Sequence, residues 1–372
     1  MKTIIERSDL LKALNHVQSV VERRNTIPIL SNVLLEADNG VLGLTATDLE
    51  IEMRERVEAE VVQPGAITAP AHMLYDIVRK LPDGAQVELA TDESGARLNL
   101  TSGKSSFALQ ALPREDFPAM AQDEMPVAFA LPGGDLRRLI DKTRFAISVE
   151  ETRYYLNGIY LHALEEDGSA LLRAVATDGH RLARVQMARP VGAEAMPAII
   201  IPRKTVGEVQ KLLEEEDGEV SMQVSDTKIN FAFSNIVLTS KLIDGKFPDY
   251  TRVIPTDNDK MLTVDAKSFA QSVDRVSAIS SEKSRAVKLE LAPDSLALSV
   301  SNPDSGSASD ELSVSYAAEA MEIGFNARYL MDITSQLDGE VATFELADSG
   351  SPTLVRDDKD TDALYVLMPM RV

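Results

Sequence analysis

Apolar residues repeat at helical spacing in three well-separated stretches: Leu10, Leu14, Val17 and Val21; Leu136, Leu139 and Ile140; Phe269, Val273 and Val276. That spacing gathers side chains on one helical face, so helices are expected over residues 10–24, 136–146 and 267–277. A second helix is expected later in each third, over 70–80, 203–213 and 326–336. Between the helices the period falls to two. Phe107-Ala108-Leu109, Ile229-Asn230-Phe231-Ala232-Phe233 and Phe344-Glu345-Leu346 read as half-buried strands. Strand-like stretches at 29–37, 156–163 and 287–291 follow the first helices. Each third therefore reads as helix plus strands, done twice: an α+β chain of two-helix, antiparallel-sheet units.

The chain also matches itself. Ala46-Thr47-Asp48 returns as Ala176-Thr177-Asp178, and Asp116-Phe117-Pro118 returns as Lys246-Phe247-Pro248, both 130 residues later. A common shift in a common order marks an internal repeat. It places three similar domains at 1–122, 127–254 and 260–372, with polar, proline-containing joints at 118–126 and 255–260. The serine-rich stretch 301–311 reads as a long polar loop. Glu214-Glu215-Glu216-Asp217-Gly218 reads as a solvated helix-ending turn, with a metal site as the alternative.

Composition narrows the function. The 372 residues are 44% hydrophobic and 26% charged, a globular balance. No apolar run approaches the ~20 residues of a membrane span, and residues 1–7 do not resemble a secretory leader. With no cysteine, disulfides, thiol nucleophiles and cysteine metal sites are excluded, which fits a reducing cytoplasm. The net charge of −21 would repel nucleic acid. Yet the six expected helices hold 15 Lys and Arg against 6 Asp and Glu, a net +9 in an acidic chain. One reading is solubility. The other is a helix-lined surface that touches duplex backbone weakly and without regard to sequence. No dense basic cluster or aromatic row points to base reading or single strands.

Five stretches, taken together, resemble the beta sliding clamps of bacterial DNA polymerase III across the full chain. They are Asn25-Thr26-Ile27-Pro28-Ile29-Leu30-Ser31-Asn32; Arg153-Tyr154-Tyr155-Leu156-Asn157-Gly158; Ala176-Thr177-Asp178-Gly179-His180-Arg181-Leu182; Ser240-Lys241-Leu242-Ile243-Asp244-Gly245-Lys246-Phe247-Pro248-Asp249-Tyr250; and Met368-Pro369-Met370-Arg371-Val372. The resemblance implies a DNA clamp fold and a head-to-tail homodimer, a six-domain ring with helices inside. Such a ring serves DNA replication as a processivity factor around duplex DNA, without catalysis or cofactor. It also implies a groove for a short partner peptide carrying glutamine and spaced leucine and phenylalanine. By matched position the groove uses Leu156, Thr177, Gly179, His180, Arg181, Leu182, Pro248, Arg252, Val253, Asn326, Tyr329, Val366, Met368, Pro369, Met370 and Arg371. Leucine, valine and methionine would form an adaptable floor, and His180, Asn326 and the arginines would bond the peptide. Implied partners are the polymerase III alpha subunit, the clamp-loader delta subunit, and other polymerases and repair proteins with such a peptide.

Arg24 matches a family arginine near DNA, and helix charge adds Arg23, Lys80, Arg137, Arg203 and Lys204. At the dimer interface Phe107 and Leu109 should meet Ala278 and Ile279 of the partner. Ala278 is smaller than the family's usual residue, 301–311 is less acidic, and Gly350-Ser351-Pro352 departs from the pattern at the groove rim.

Read without the resemblance, the terminal Leu-Met-Pro-Met run is a buried last strand, and Asp178-Gly179-His180 is a turn with a surface histidine. Two rival functions remain. Asp178 beside His180 could belong to a hydrolase or nuclease. Against that, His16, His72, His162 and His180 show no metal-pair spacing, no phosphate loop or nucleophile elbow is present, and Asp48 repeats Asp178 without a nearby histidine. A protein scaffold that never touches DNA would also suit the charge.

Overall fold

The computed structural model describes residues 1–121, 124–280 and 285–372. These contain six α-helices: α1 (Arg7–Gln18), α2 (Ala71–Lys80), α3 (Gly133–Arg144), α4 (Arg203–Glu215), α5 (Ala266–Ser277) and α6 (Ala327–Thr334). Each is entered directly from a strand: Lys2–Glu6, Gly65–Pro70, Val127–Pro132, Ile199–Pro202, Lys260–Asp265 and Met321–Asn326 in turn. Asp265 and Asn326 cap α5 and α6, accepting from the backbone N–H of Ser268 at 2.7 Å and Arg328 at 2.9 Å. The fold class is α+β, as the two periodicities predict.

The chain divides into two compact units. The first comprises Met1–Leu136, Pro190–Pro197 and Lys204–Leu242. Its five-stranded sheet runs Glu60–Gln63, Lys2–Glu6, Gln86–Thr91, Arg97–Ser102, Ser105–Gln110. Its eight-stranded sheet runs Val127–Pro132, Glu219–Val224, Lys228–Ala232, Ile236–Lys241, Ile51–Glu58, Val41–Thr47, Asn32–Asp38, Gly65–Pro70. Helices α1 and α2 pack together in this unit, burying Leu10, Leu14, Val17, Leu74 and Val78.

The second unit comprises Arg137–Arg189, Ala198–Arg203 and Ile243–Val372. Its nine-stranded sheet runs Ile199–Pro202, Gly158–Glu166, Ser169–Thr177, Arg181–Ala188, Ala363–Leu367, Thr353–Asp357, Val341–Leu346, Lys260–Asp265, Ser315–Tyr316. Its four-stranded sheet runs Gly306–Ser313, Ser295–Asn302, Ala286–Ala292, Met321–Asn326. Phe269 of α5 packs on Phe344, ring centres 5.1 Å apart.

The division cuts the middle third because its strands continue into both neighbours' sheets. Ile236–Lys241 pairs antiparallel with Ile51–Glu58, Leu238 opposite Met53. Arg181–Ala188 pairs antiparallel with Ala363–Leu367, Ala183 opposite Tyr365.

Two expectations change. The helix expected over 10–24 spans Arg7–Gln18, with a turn at Ser19, whose hydroxyl donates to the His16 carbonyl at 2.6 Å. Such a side-chain bond competes with helix propagation, and Arg23 and Arg24 lie beyond the helix on an exposed segment. The stretch 301–311 is not a loop. It is most of a hairpin, Ser295–Asn302 against Gly306–Ser313, with Val300 opposite Ala308. An edge strand takes its shape from backbone bonds and needs few apolar side chains. The joint expected at 118–126 includes residues 122 and 123, which lie outside the described residues.

The charge bias also shrinks. Over their observed bounds the helices hold 14 Lys and Arg and 9 Asp and Glu. The net is +5 rather than +9, largely because α4 extends through Glu214 and Glu215 while Arg23 and Arg24 leave α1. Many helical cations are paired locally, among them Arg79 with Asp76 and Arg137 with Asp141.

His16, on the buried face of α1, is held by two carboxylates. Its Nδ1 lies 2.8 Å from Glu55 Oε2 and its Nε2 3.0 Å from Glu215 Oε2. Burial pulls its pKa down, but the carboxylates outweigh that and hold it above the usual histidine value. A raised folded pKa stabilises fully below the unfolded pKa of ~6.5 and loses that stabilisation as pH rises through the folded value. Urea unfolding of wild type against His16→Gln should show a gap of about 1–2 kcal/mol near pH 6 that narrows in alkali; a pH-independent gap contradicts a charged His16.

Candidate peptide-binding site

The second unit holds every residue expected in the peptide groove. Its turn 177–181 is built by its own side chains. Thr177 Oγ1 donates to the Arg181 carbonyl at 2.7 Å and accepts from Gly179 N at 3.1 Å. Asp178 Oδ1 accepts from His180 N at 2.9 Å and Arg181 N at 3.0 Å, an Asx-type turn. The first unit repeats the design: Thr47 Oγ1 donates to the Ile51 carbonyl, and Asp48 Oδ1 accepts from Glu50 and Ile51 N. The third position takes positive φ in both copies, 88° at Gly179 and 78° at Leu49. The Ala-Thr-Asp repeat is thus a turn device. Asp178 is fully engaged in it, since its Oδ2 also accepts from Arg181 Nε at 3.1 Å; it does not orient the His180 ring.

Arg181 is only 7% exposed. Its Nη1 donates to Asp332 Oδ2 at 2.5 Å and its Nη2 to the Phe145 carbonyl at 2.6 Å. The guanidinium lies 4.2 Å from the Tyr329 ring centre and 5.1 Å from that of Phe145, within cation–π range. Three of its five N–H donors are engaged within the chain, so it positions Tyr329 and the turn whether or not it also bonds a peptide.

Leu156, Leu182 and Val366 do meet, in one buried cluster with Val175, Ile200, Phe247, Tyr250, Leu354 and Leu364. They lie beneath the surface rather than on it. The apolar groups that remain open are Val253 at 47%, Met368 at 38% and Met370 at 37% exposure, and Pro248 is also exposed. Among the expected groove residues, the exposed apolar side chains are therefore methionines and a valine, while the leucines and Val366 are buried.

Sequence reasoning missed the aromatic support. Tyr160 stacks on Phe247, ring centres 4.7 Å apart and nearly parallel. Arg173, fully buried, donates to Tyr250 Oη at 3.1 Å, leaving the tyrosine proton for His162 Nε2, also at 3.1 Å. Burial, then the Arg173 charge, holds His162 down at about pKa 4, so its ring stays neutral. The repeated Phe-Pro pair, Phe247-Pro248, was the signal for this layer.

The last residues are tied down by backbone. Met368 N donates to the His180 carbonyl at 2.9 Å and Met370 N to the Gly324 carbonyl at 2.8 Å. Gly324 is required there, because an added Cβ would come within 2.2 Å of Val372 Cγ1 and 2.7 Å of the Met370 carbonyl. Pro369 has no N–H to satisfy. Asn326 accepts at the start of α6, Arg252 pairs with Asp249 at 2.9 Å, and His180 and Arg371 are exposed. Gly350-Ser351-Pro352 forms a turn on Asp348, whose Oδ1 accepts from Gly350 N and Ser351 N at 2.8 Å.

Among the other expected residues, Arg23, Arg24, Lys80 and Arg203 are exposed. Arg137 pairs with Asp141. Lys204 is spoken for: it donates to Glu22, Asp48 and the Val20 carbonyl. Phe107 is 36% exposed, whereas Leu109 is buried in its own unit at 6%. Ala278 and Ile279 follow α5, and the Ile279 carbonyl accepts from Asn302 Nδ2 at 2.8 Å.

Three family models cover the chain: the DNA polymerase III beta subunit N-terminal domain over residues 1–121, its central domain over 130–249 and its C-terminal domain over 251–371. A beta sliding clamp of Caulobacter vibrioides (strain NA1000 / CB15N) is 55% identical over 372 residues, covering 100% of both chains. That of Escherichia coli (strain K12) is 40% identical over 375 residues, again covering 100% of both. The crystal structure of a DnaN sliding clamp from Bartonella birtlesii bound to griselimycin is similar with a TM-score of 0.98 and 52% identity, over 100% of both chains.

Deleting residues 368–372 removes both open methionines and the tie to Gly324. Binding of a peptide carrying glutamine, leucine and phenylalanine should fall at least about 100-fold, as two buried apolar anchors lose their floor. Calorimetry showing unchanged affinity contradicts the groove.

Proposed function

The chain belongs to the DNA polymerase III beta subunit family, the beta sliding clamps, and from that premise we propose that two copies close head to tail around duplex DNA. The protein is an accessory processivity factor of DNA polymerase III, not a catalyst. It comprises three clamp domains, 1–122, 127–254 and 260–372.

The observation that carries ring closure is the pattern of shared and unshared sheets. The eight- and nine-stranded sheets each combine strands from two thirds of the chain, while the five- and four-stranded sheets each belong to one third. Each of these half-size sheets ends in an open edge strand, Ser105–Gln110 in one and Gly306–Ser313 in the other. In the shared sheets the joining residues are the third of each strand: Leu238 with Met53, and Tyr365 with Ala183. The third residues of the open strands are Phe107 and Ala308. Joined likewise between copies, they give a third shared sheet, with Phe107 opposite the partner's Ala308. Since the two edges differ, the contact is head to tail, and two such contacts close a ring.

Arg23, Arg24, Lys80 and Arg203 supply exposed cations for phosphate. Arg137 and Lys204 contribute less, because carboxylates already hold them. Contact is weak and blind to sequence, and closure keeps the protein on DNA. The groove takes a short peptide of the polymerase III alpha subunit, the clamp-loader delta subunit or other polymerases and repair proteins. Val253, Met368 and Met370 receive its apolar anchors. No helix among the described residues is long and apolar enough to cross a membrane, and the work of the clamp places it in the cytoplasm.

Loaded by its clamp loader onto a nicked circle, the protein should stay bound through gel filtration and leave once the circle is linearised. Arg24→Glu should lower loading about 2- to 10-fold, more at low salt, with peptide affinity unchanged. Equal retention on linear and circular DNA overturns the ring.

A further inference from the structure

Helices α1, α3 and α5 are each 12 residues long, and each carries a cation at its tenth position: His16, Lys142 and Arg275. The first two of these cations join one third of the chain to the next. His16 bonds Glu55, in its own third, and Glu215, the last residue of α4 in the next third. Lys142 bonds Asp338, just beyond α6 in the last third, at 2.6 Å, and Asp360 at 3.1 Å. At each joint a cation from the first helix reaches a carboxylate at or just beyond the end of the following third's second helix.

Arg275 has half of this arrangement. Its Nε donates to Asp310 Oδ2 at 3.0 Å. Asp310 is the fifth residue of Gly306–Ser313, as Glu55 is of Ile51–Glu58, so Arg275–Asp310 repeats His16–Glu55. Helix α5 lies in the last of the three thirds. The second helix of the following third is α2, on another copy, and the carboxylate just beyond it is Asp83. Counted from its helix start, Asp83 is the thirteenth position, as Glu215 is, and Asp338 is the twelfth. Asp83 is 95% exposed and held on one side by Arg7 at 2.6 Å; Arg275 is 57% exposed.

We propose that in the dimer Arg275 of one copy bridges its own Asp310 and Asp83 of the other copy, completing at the subunit contact the arrangement that His16 makes with Glu55 and Glu215 within the chain. This rests on the head-to-tail ring proposed above. The contact adds a charge-assisted pair to a strand-edge interface whose other side chains are mostly small and polar, and it sets which edges meet.

The test is sedimentation of the full-length protein. Wild type should be a dimer that weakens with salt. Asp83→Lys should weaken it about tenfold at low salt, with far less effect at high salt, and Asp83→Lys with Arg275→Glu should regain most of the loss. Because the chain has no cysteine, Asp83→Cys with Arg275→Cys gives a second reading: a short bis-maleimide should link the two copies, and either single variant should not link. A monomeric wild type overturns the ring and this bridge with it. A wild-type dimer that is indifferent to Asp83→Lys, or a double-cysteine dimer that does not link, overturns the bridge alone.

Discussion

A strand at the end of an antiparallel sheet carries unpaired backbone N–H and C=O groups that must meet water or another strand. Here that requirement organises the chain. The middle third meets it on both sides by pairing Ile236–Lys241 with Ile51–Glu58 and Arg181–Ala188 with Ala363–Leu367. The same pairings account for the two compact units, whose division passes through the middle third. The edges at Ser105–Gln110 and Gly306–Ser313 are among those left unpaired within the chain, and the proposed ring pairs them between copies.

The candidate site depends on one of these shared sheets. Arg181, Leu182 and Val366 sit on paired strands, Leu182 opposite Val366. Arg181 then spends its guanidinium on Asp178, Asp332 and the Phe145 carbonyl, fixing the Tyr329 ring. The methionines of the last residues are positioned by backbone bonds to His180 and Gly324. Rigid backbone with flexible thioether side chains suits a surface that accepts related peptides.

Periodicity made the helices, the antiparallel strands and the threefold repeat legible, and the Ala-Thr-Asp repeat marked a turn used twice. The groove residues were legible only through family resemblance. Burial by neighbours is invisible in a linear pattern, so Leu156, Leu182 and Val366 looked like floor when they are buried. Pairing is equally invisible: Arg181 and Lys204 read as available cations, and each is claimed by carboxylates distant in sequence. The stretch 301–311 was misread because an edge strand is specified by its neighbour's backbone rather than by its own side chains. His16 gave no sign of its two carboxylates, which lie 39 and 199 residues away.

Charge segregation is real but modest, net +5 on the helices of a chain at −21. Tight adhesion to DNA is not what such a charge bias offers, and in the proposed ring closure does the holding. Negative-stain images of the purified protein test this most directly: the account predicts a six-lobed annulus with a hole wide enough for duplex DNA. Particles without a central hole, or open chains of subunits, would contradict it.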